Sequence, residues 1–173
     1  MDDILSKIHP RARQFVEAVG AKVISLEDFD VLVGGMRKND KIAAFVSTRG
    51  QYNPGRDLIV INMLADNPLL TRTVLHELGH WSGHSTRLRR PVIAHAERNV
   101  IIKDGEYDTE EIVAEMIAYK LGEDMGILTD AWKEKSARYI AEYRKGSEHE
   151  ARIYVKQAVW FLVNIAMPKL RGS

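Results

Sequence analysis

Val74-Leu75-His76-Glu77-Leu78-Gly79-His80-Trp81 is the stretch on which the reading of this chain turns. Two histidines at i and i+4 of a helix lie one turn apart on the same face, so both imidazoles can reach a single metal ion. Glu77 follows the first histidine and projects beside such an ion rather than onto it, where it can take a proton from an activated water. Val74, Leu75 and Leu78 form an apolar stripe that buries against a sheet and fixes the direction of the histidine face. The bland reading of the same residues is a helix with two hydrogen-bonded surface histidines.

A catalytic zinc takes three protein ligands and keeps one position open for water, so a third donor is expected downstream. His84 is one candidate. On an unbroken helix it would sit roughly 12 Å along the axis from His76, too far for two ligands each about 2 Å from one ion. It joins only if Gly83 ends the helix and the chain turns back; otherwise it caps the helix end or supports a ligand. The second candidate lies in Glu110-Glu111-Ile112-Val113-Ala114-Glu115, about 30 residues on. There Glu111 would bind the metal and Glu115, one turn later, would hold the free ring nitrogen of a ligating histidine. The alternative is that both are solvated helix charges.

The rest of the chain supplies a scaffold for such a site. With 173 residues, the length fits one domain spanning 1–173. Apolar residues are 45% and charged residues 28%, an ordinary globular balance. The net charge of +1 argues against a generally basic nucleic-acid coat. There are no cysteines, which removes thiolate nucleophiles, disulfides and cysteine-based metal sites. The N-terminus lacks the apolar core of a secretory signal, and Ala158–Met167 is too short to span a bilayer. A cytoplasmic protein is expected. Residues 11–19 read as a helix stopped by Gly20. Residues 22–26, 31–34, 42–47 and 57–62 read as short strands, with a turn at Tyr52-Asn53-Pro54-Gly55. Asn67-Pro68 resembles a helix start leading through His76 and His80 to about Gly83. Residues 88–105 read as a loop or broken helix, and helices follow from Thr109 to near Gly122, over 130–144 and over 148–167. Strands first and helices afterwards give an α+β domain, a sheet of three to four strands packed on the histidine helix and the later helices.

HELGHWSGH (76–84) followed by STRLRR, then YDTEEIVAEMIAYKLGEDMGI (107–127), resembles the zincin-like metallopeptidase domain of the ArdC-type anti-restriction family, common on mobile elements and phages. Tyr52-x-Pro54 with Asp57-x-Ile59 resembles the family's strand entering the site, and 137–140 with Gln157-Ala158 its closing helices. The resemblance covers roughly residues 50–165. It implies a zincin-like fold, His76 and His80 as metal ligands, Glu77 as general base and Glu111 as third ligand. The acid pair is similar also to the block of aminopeptidase-type gluzincins whose first glutamate binds zinc. Full-length ArdC-type proteins resemble a fusion with a single-stranded-DNA-binding domain that this length does not accommodate, so DNA binding is not implied with the rest.

The expectation is therefore a zinc metallopeptidase acting on a protein or peptide, with Glu77 taking the water's proton. Strand 58–62 would flank the cleft and pair with an extended substrate. Tyr107, His95 and Tyr52 are candidates for the oxyanion donor. Arg87, Arg89 and Arg90 begin a basic cluster that could meet phosphate, hence nucleic acid; its bland reading is a solvated loop whose arginines pair with nearby acids. The competing expectation is a non-catalytic anti-restriction or binding module with structural zinc, which a closed site including His84 would favour.

Overall fold

The computed structural model describes residues 4–32, 49–63, 69–143 and 146–172. After a 3₁₀ turn at Ile4–Lys7 come α1 (Pro10–Val19), β1 (Val23–Ser25) and α2 (Leu26–Leu32). Then follow β2 (Gly50–Asn53), a 3₁₀ turn (Pro54–Arg56), β3 (Leu58–Ile61), α3 (Leu70–Ser82), α4 (Pro91–Glu97), α5 (Asp104–Asp124), α6 (Asp130–Glu142) and α7 (Glu148–Arg171). Strands precede the long helices, and the fold is α+β.

The sheet has the order β1-β3-β2, with β1 parallel and β2 antiparallel to β3. All four residues of β3 are buried. Ile59 and Ile61 enter the main core with α1, α3, α5 and α7, whereas Leu58 and Val60 pack with Leu26 and Phe29 of α2. A strand covered on both faces reads as a continuous apolar run, which is why Leu58–Ile61 is so legible in the sequence.

Three expectations are corrected. Residues 31–34 do not begin a strand: Val31 and Leu32 end α2, whose first turn carries Glu27 and Asp28, where acids suit the helix dipole. The strand expected at 42–47, residues 33–34 and the Asn67-Pro68 start lie outside the described residues. The segment 88–105 contains a true helix, α4, because Pro91 occupies its first turn, where a missing N–H costs nothing. Helix α5 also begins five residues early, at Asp104, with Glu106 reaching back to the Lys103 N–H. Gly20 does stop α1, in the left-handed conformation at φ 81°.

One glycine sets the distance between the two helices that matter. A Cβ on Gly79 would lie 2.8 Å from the Ala114 Cα and 3.0 Å from its carbonyl oxygen. Only a residue without a side chain lets α3 and α5 cross so closely, and that crossing sets 76–80 against 110–115.

Candidate metal centre

His76 and His80 are buried on the face of α3 turned toward α5, and Glu77, also buried, turns toward β2. Each imidazole is held at Nδ1 by a carboxylate from α5. His76 Nδ1 lies 3.0 Å from Glu115 Oε2, and His80 Nδ1 lies 3.1 Å from Glu110 Oε1. In the neutral ring, an Nδ1–H donated to a carboxylate leaves Nε2 as the lone-pair nitrogen. The two Nε2 atoms face each other at 3.2 Å, and the Glu111 carboxylate stands 3.4 Å from His76 Nε2 through Oε2 and 3.6 Å from His80 Nε2 through Oε1. Donors about 2 Å from one tetrahedral ion are about 3.3 Å apart, so these three spacings match one coordination shell. His76, His80 and Glu111 could therefore hold a divalent metal.

Without an ion, this cluster draws protons to compensate its charge. Burial by itself would lower His76, but Glu111 and Glu115 outweigh it and push it up to about 10. His80 is raised in the same way, against burial, by Glu111 and Glu110. Glu111 moves well below the usual carboxylate range: burial opposes the shift, but His80, His76 and the Tyr139 hydroxyl dominate. Glu77 goes the other way. Burial raises it, partly countered by the two histidines and by the main-chain N–H of Tyr52.

A second layer of buried ion pairs fixes the carboxylates. Arg72 donates to Glu115 through Nε (2.9 Å) and Nη2 (2.5 Å), and the Ser136 hydroxyl donates to the same carboxylate. Arg90, only 2% exposed, grips Glu110 at 2.7 and 2.8 Å and donates to the Ser82 hydroxyl and the Gly79 carbonyl. The Tyr139 hydroxyl donates to Glu111 Oε2 at 2.7 Å, with its ring edge-on to His76. Sequence reasoning missed Glu110, Arg72, Arg90, Ser136 and Tyr139 in these roles. For Glu110 a signal existed: two ligating histidines need two Nδ1 partners, and Glu110 is the other acid beside Glu111 and Glu115.

The cluster opens into a cleft of about 680 Å³ whose lining includes His76, Glu77, His80, Glu111, Tyr107, Tyr139 and Tyr143. Strand β2, not β3, flanks it. β3 is central and paired on both sides, so the expectation that 58–62 would meet a substrate is corrected. The Asn62 N–H donates to the Arg49 carbonyl, so Arg49, Gln51 and Asn53 face β3 and the amides of Gly50 and Tyr52 point toward the cleft. A Cβ on Gly50 would meet Thr73 Cγ2 at 2.8 Å and Glu77 Cγ at 3.2 Å, so the strand's main chain lies directly against Glu77.

Other expected residues fall elsewhere. His84 stands apart from His76 and His80 because α3 continues to Ser82 and its Gly83 cap keeps right-handed geometry. Its Nδ1 pairs with the Thr86 hydroxyl, and Nε2 lies 3.5 Å from Glu97. The Tyr52 hydroxyl is engaged by Asp57 and Arg87, which leaves it no role toward a substrate. His95 does not line the cleft. Tyr107 does, half-exposed and beside Glu111, which with burial raises its hydroxyl. Of the basic cluster, Arg87 stacks on Trp81 and pairs with Asp57, and Arg90 is spent on Glu110. Arg89 alone of the three is exposed.

Two histidines one turn apart, a glutamate between them and a third acid from a second helix define a zincin-type centre. Residues 37–158 match the zincin-like metallopeptidase family, and the chain belongs to it. Its fold is that of the antirestriction protein ArdC from the R388 plasmid, solved with Mn(II) bound. The TM-score is 0.57 at 21% identity, over 92% of this chain and 53% of that one. Two DNA primases TraC of Escherichia coli are 33% and 32% identical over 105 residues, which is 59% of this chain but 7% and 9% of theirs. The chain thus spans less than a tenth of these relatives. Among the described residues no helix is long and apolar enough to cross a membrane.

Proposed function

We propose that this chain is a zinc-dependent peptidase domain in which His76, His80 and Glu111 hold the metal and Glu77 is the general base. The observation that carries the reading is the convergence of two Nε2 atoms and one carboxylate beside a buried glutamate, in a cleft open to a ligand. The chemistry a bound zinc supplies is Lewis-acid polarisation of the scissile carbonyl and a lowered pKa for water. Glu77 receives the proton of the attacking water and passes it to the leaving amine. Glu115 and Glu110 fix the tautomers of His76 and His80, keeping both Nε2 atoms available. The outward main chain of Gly50 and the Tyr52 carbonyl offer pairing for an extended substrate backbone, the Tyr52 N–H being taken by Glu77. Tyr107, on the cleft wall, is the hydroxyl donor proposed to meet a developing oxyanion, the Tyr139 hydroxyl being committed to Glu111.

The alternative is a module with structural metal that serves antirestriction, the role named for the R388 protein, or a DNA-processing protein such as TraC. The location of His84 outside the cluster counts against a closed four-donor site. Purified protein is expected to carry about one zinc per chain, retained in Glu77→Gln and lost in His80→Ala. Peptide hydrolysis is expected to vanish in both. Hydrolysis surviving in Glu77→Gln, measured beside metal content, would refute the base assignment.

A further inference from the structure

The cleft is polar at one end and apolar at the other. Helix α3 sets its axis. At the Arg72–Thr73 end the lining includes Arg49, Arg72 and Lys135; beyond His80 it is Val92, Ile93, Ala96, Ile102 and Tyr107. Strand β2 runs the same way, from Gly50 against Thr73 to the Pro54–Arg56 turn, on which α4 packs. Among the described residues the charges do not balance along this axis. Arg72 is neutralised by Glu115, and Glu110 by Arg90. A divalent ion would be matched by Glu77 and Glu111. Arg49 and Lys135 then remain, without an acidic partner among the described residues. Lys135 is half-buried on α6, next to Ser136, which bonds Glu115. A half-buried ammonium lining the cleft without an acidic partner among the described residues is available to an anionic occupant.

We infer that Arg49 and Lys135 form an anion subsite that selects peptides carrying a carboxylate on the C-terminal side of the scissile bond, with an apolar residue on the N-terminal side. This rests on the peptidase reading above. Its direction follows from pairing: antiparallel partners outnumber parallel ones two- to threefold, and a chain antiparallel to β2 brings its C-terminal part to the Arg49 end. The carboxylate has two sources, an acidic side chain or the free C-terminus.

The test separates this from turnover by using binding. Zinc-loaded Glu77→Gln protein is titrated calorimetrically with matched peptides. All carry a phenylalanine followed, two residues on, by glutamate, glutamine or lysine, with the C-terminus amidated; a fourth has glutamine and a free terminal carboxylate close behind it. We expect the glutamate or the free-acid peptide to bind about tenfold more tightly than the glutamine amide, the order of one charge-assisted hydrogen bond. Whichever wins identifies the source. In an Arg49→Ser/Lys135→Met protein the preference should fall below about twofold, while zinc content and melting temperature stay unchanged and Lys169→Met has no effect. Equal affinities, binding of none of the peptides, preference persisting in the double variant, or displacement by a single-stranded oligonucleotide at lower concentration than the acidic peptide would each overturn the subsite. Discrimination in binding, with no peptide cut by the Glu77 protein, would strike the peptidase reading and leave the subsite standing.

Discussion

At the scale of single residues, the proposed metal centre depends on groups outside the His76, His80 and Glu111 cluster. Glu110 is the clearest case. It holds His80 at Nδ1 and is itself held by Arg90, with all three removed from solvent. Removing one partner of a buried pair leaves the other charge uncompensated, a cost of about 3–5 kcal/mol. Glu110→Gln keeps the shape and one acceptor oxygen, so its loss is expected at the lower end, about 3 kcal/mol in urea unfolding of the metal-free protein. Zinc affinity should fall by about tenfold to a hundredfold, because the ring of His80 is then less firmly set. A variant with unchanged stability and unchanged zinc affinity would remove Glu110 from this role. The sequence-level reading reached His76, Glu77, His80, Glu111 and Glu115 because their spacings are helical and local. Arg72 and Arg90 were out of reach, since they meet Glu115 and Glu110 across 43 and 20 residues of chain and carry no spacing signal.

At the scale of elements, two helices make the site by crossing where Gly79 meets Ala114. Gly79→Val would place a branched side chain into the Ala114 backbone, and overpacking of this kind costs about 1–3 kcal/mol. Its specific mark should be in the metal. Separating α3 from α5 pulls Glu111 away from His76 and His80 while leaving the histidine pair within one helix. Zinc affinity should therefore fall more in Gly79→Val than in Ala18→Val, which crowds the core on α1, when both are compared at matched loss of melting temperature. Equal losses in the two variants would show that the crossing does not control the site. The same contrast between local and non-local determinants explains which elements could be read. Strand β3 and helices α1, α3, α6 and α7 carry their own periodicity. Strand β2 does not: Gly50-Gln51-Tyr52-Asn53 has a single strand-favouring residue and runs into Asn53-Pro54-Gly55, whose turn chemistry is real, with the Asn53 side chain accepting from Arg56 N–H. Pairing with β3 and packing of Gly50 on Thr73 make it a strand, and neither is visible in four residues.

At the scale of the molecule, the buried charges couple folding to pH and to metal. In the metal-free protein His76 stands near 10, against about 6.5 in an unfolded chain, and His80 is raised too. A raised pKa contributes stability that is complete below about pH 6.5 and is lost as pH climbs toward 10. Glu110, Glu111 and Glu115 are lowered from the ordinary 4.5. Their contribution is present above that value and is lost as pH falls through their folded values. Metal-free protein should thus be most stable between about pH 5 and 6.5, and its melting temperature should decline steadily toward pH 9. On the proposed reading zinc would reverse the second limb. It would take the place of protons on the two Nε2 atoms, so uptake should release protons and tighten as pH rises. Because a ligand that binds only the folded state stabilises it in proportion to the logarithm of its occupancy, the gap between zinc-loaded and chelator-treated melting temperatures should widen from about pH 6 to about pH 9. Circular dichroism melts of both forms across that range measure it. A gap that stays constant would mean that the histidines do not carry protons which the metal must displace, and the cluster would then be neutral by some other arrangement of its carboxyl groups.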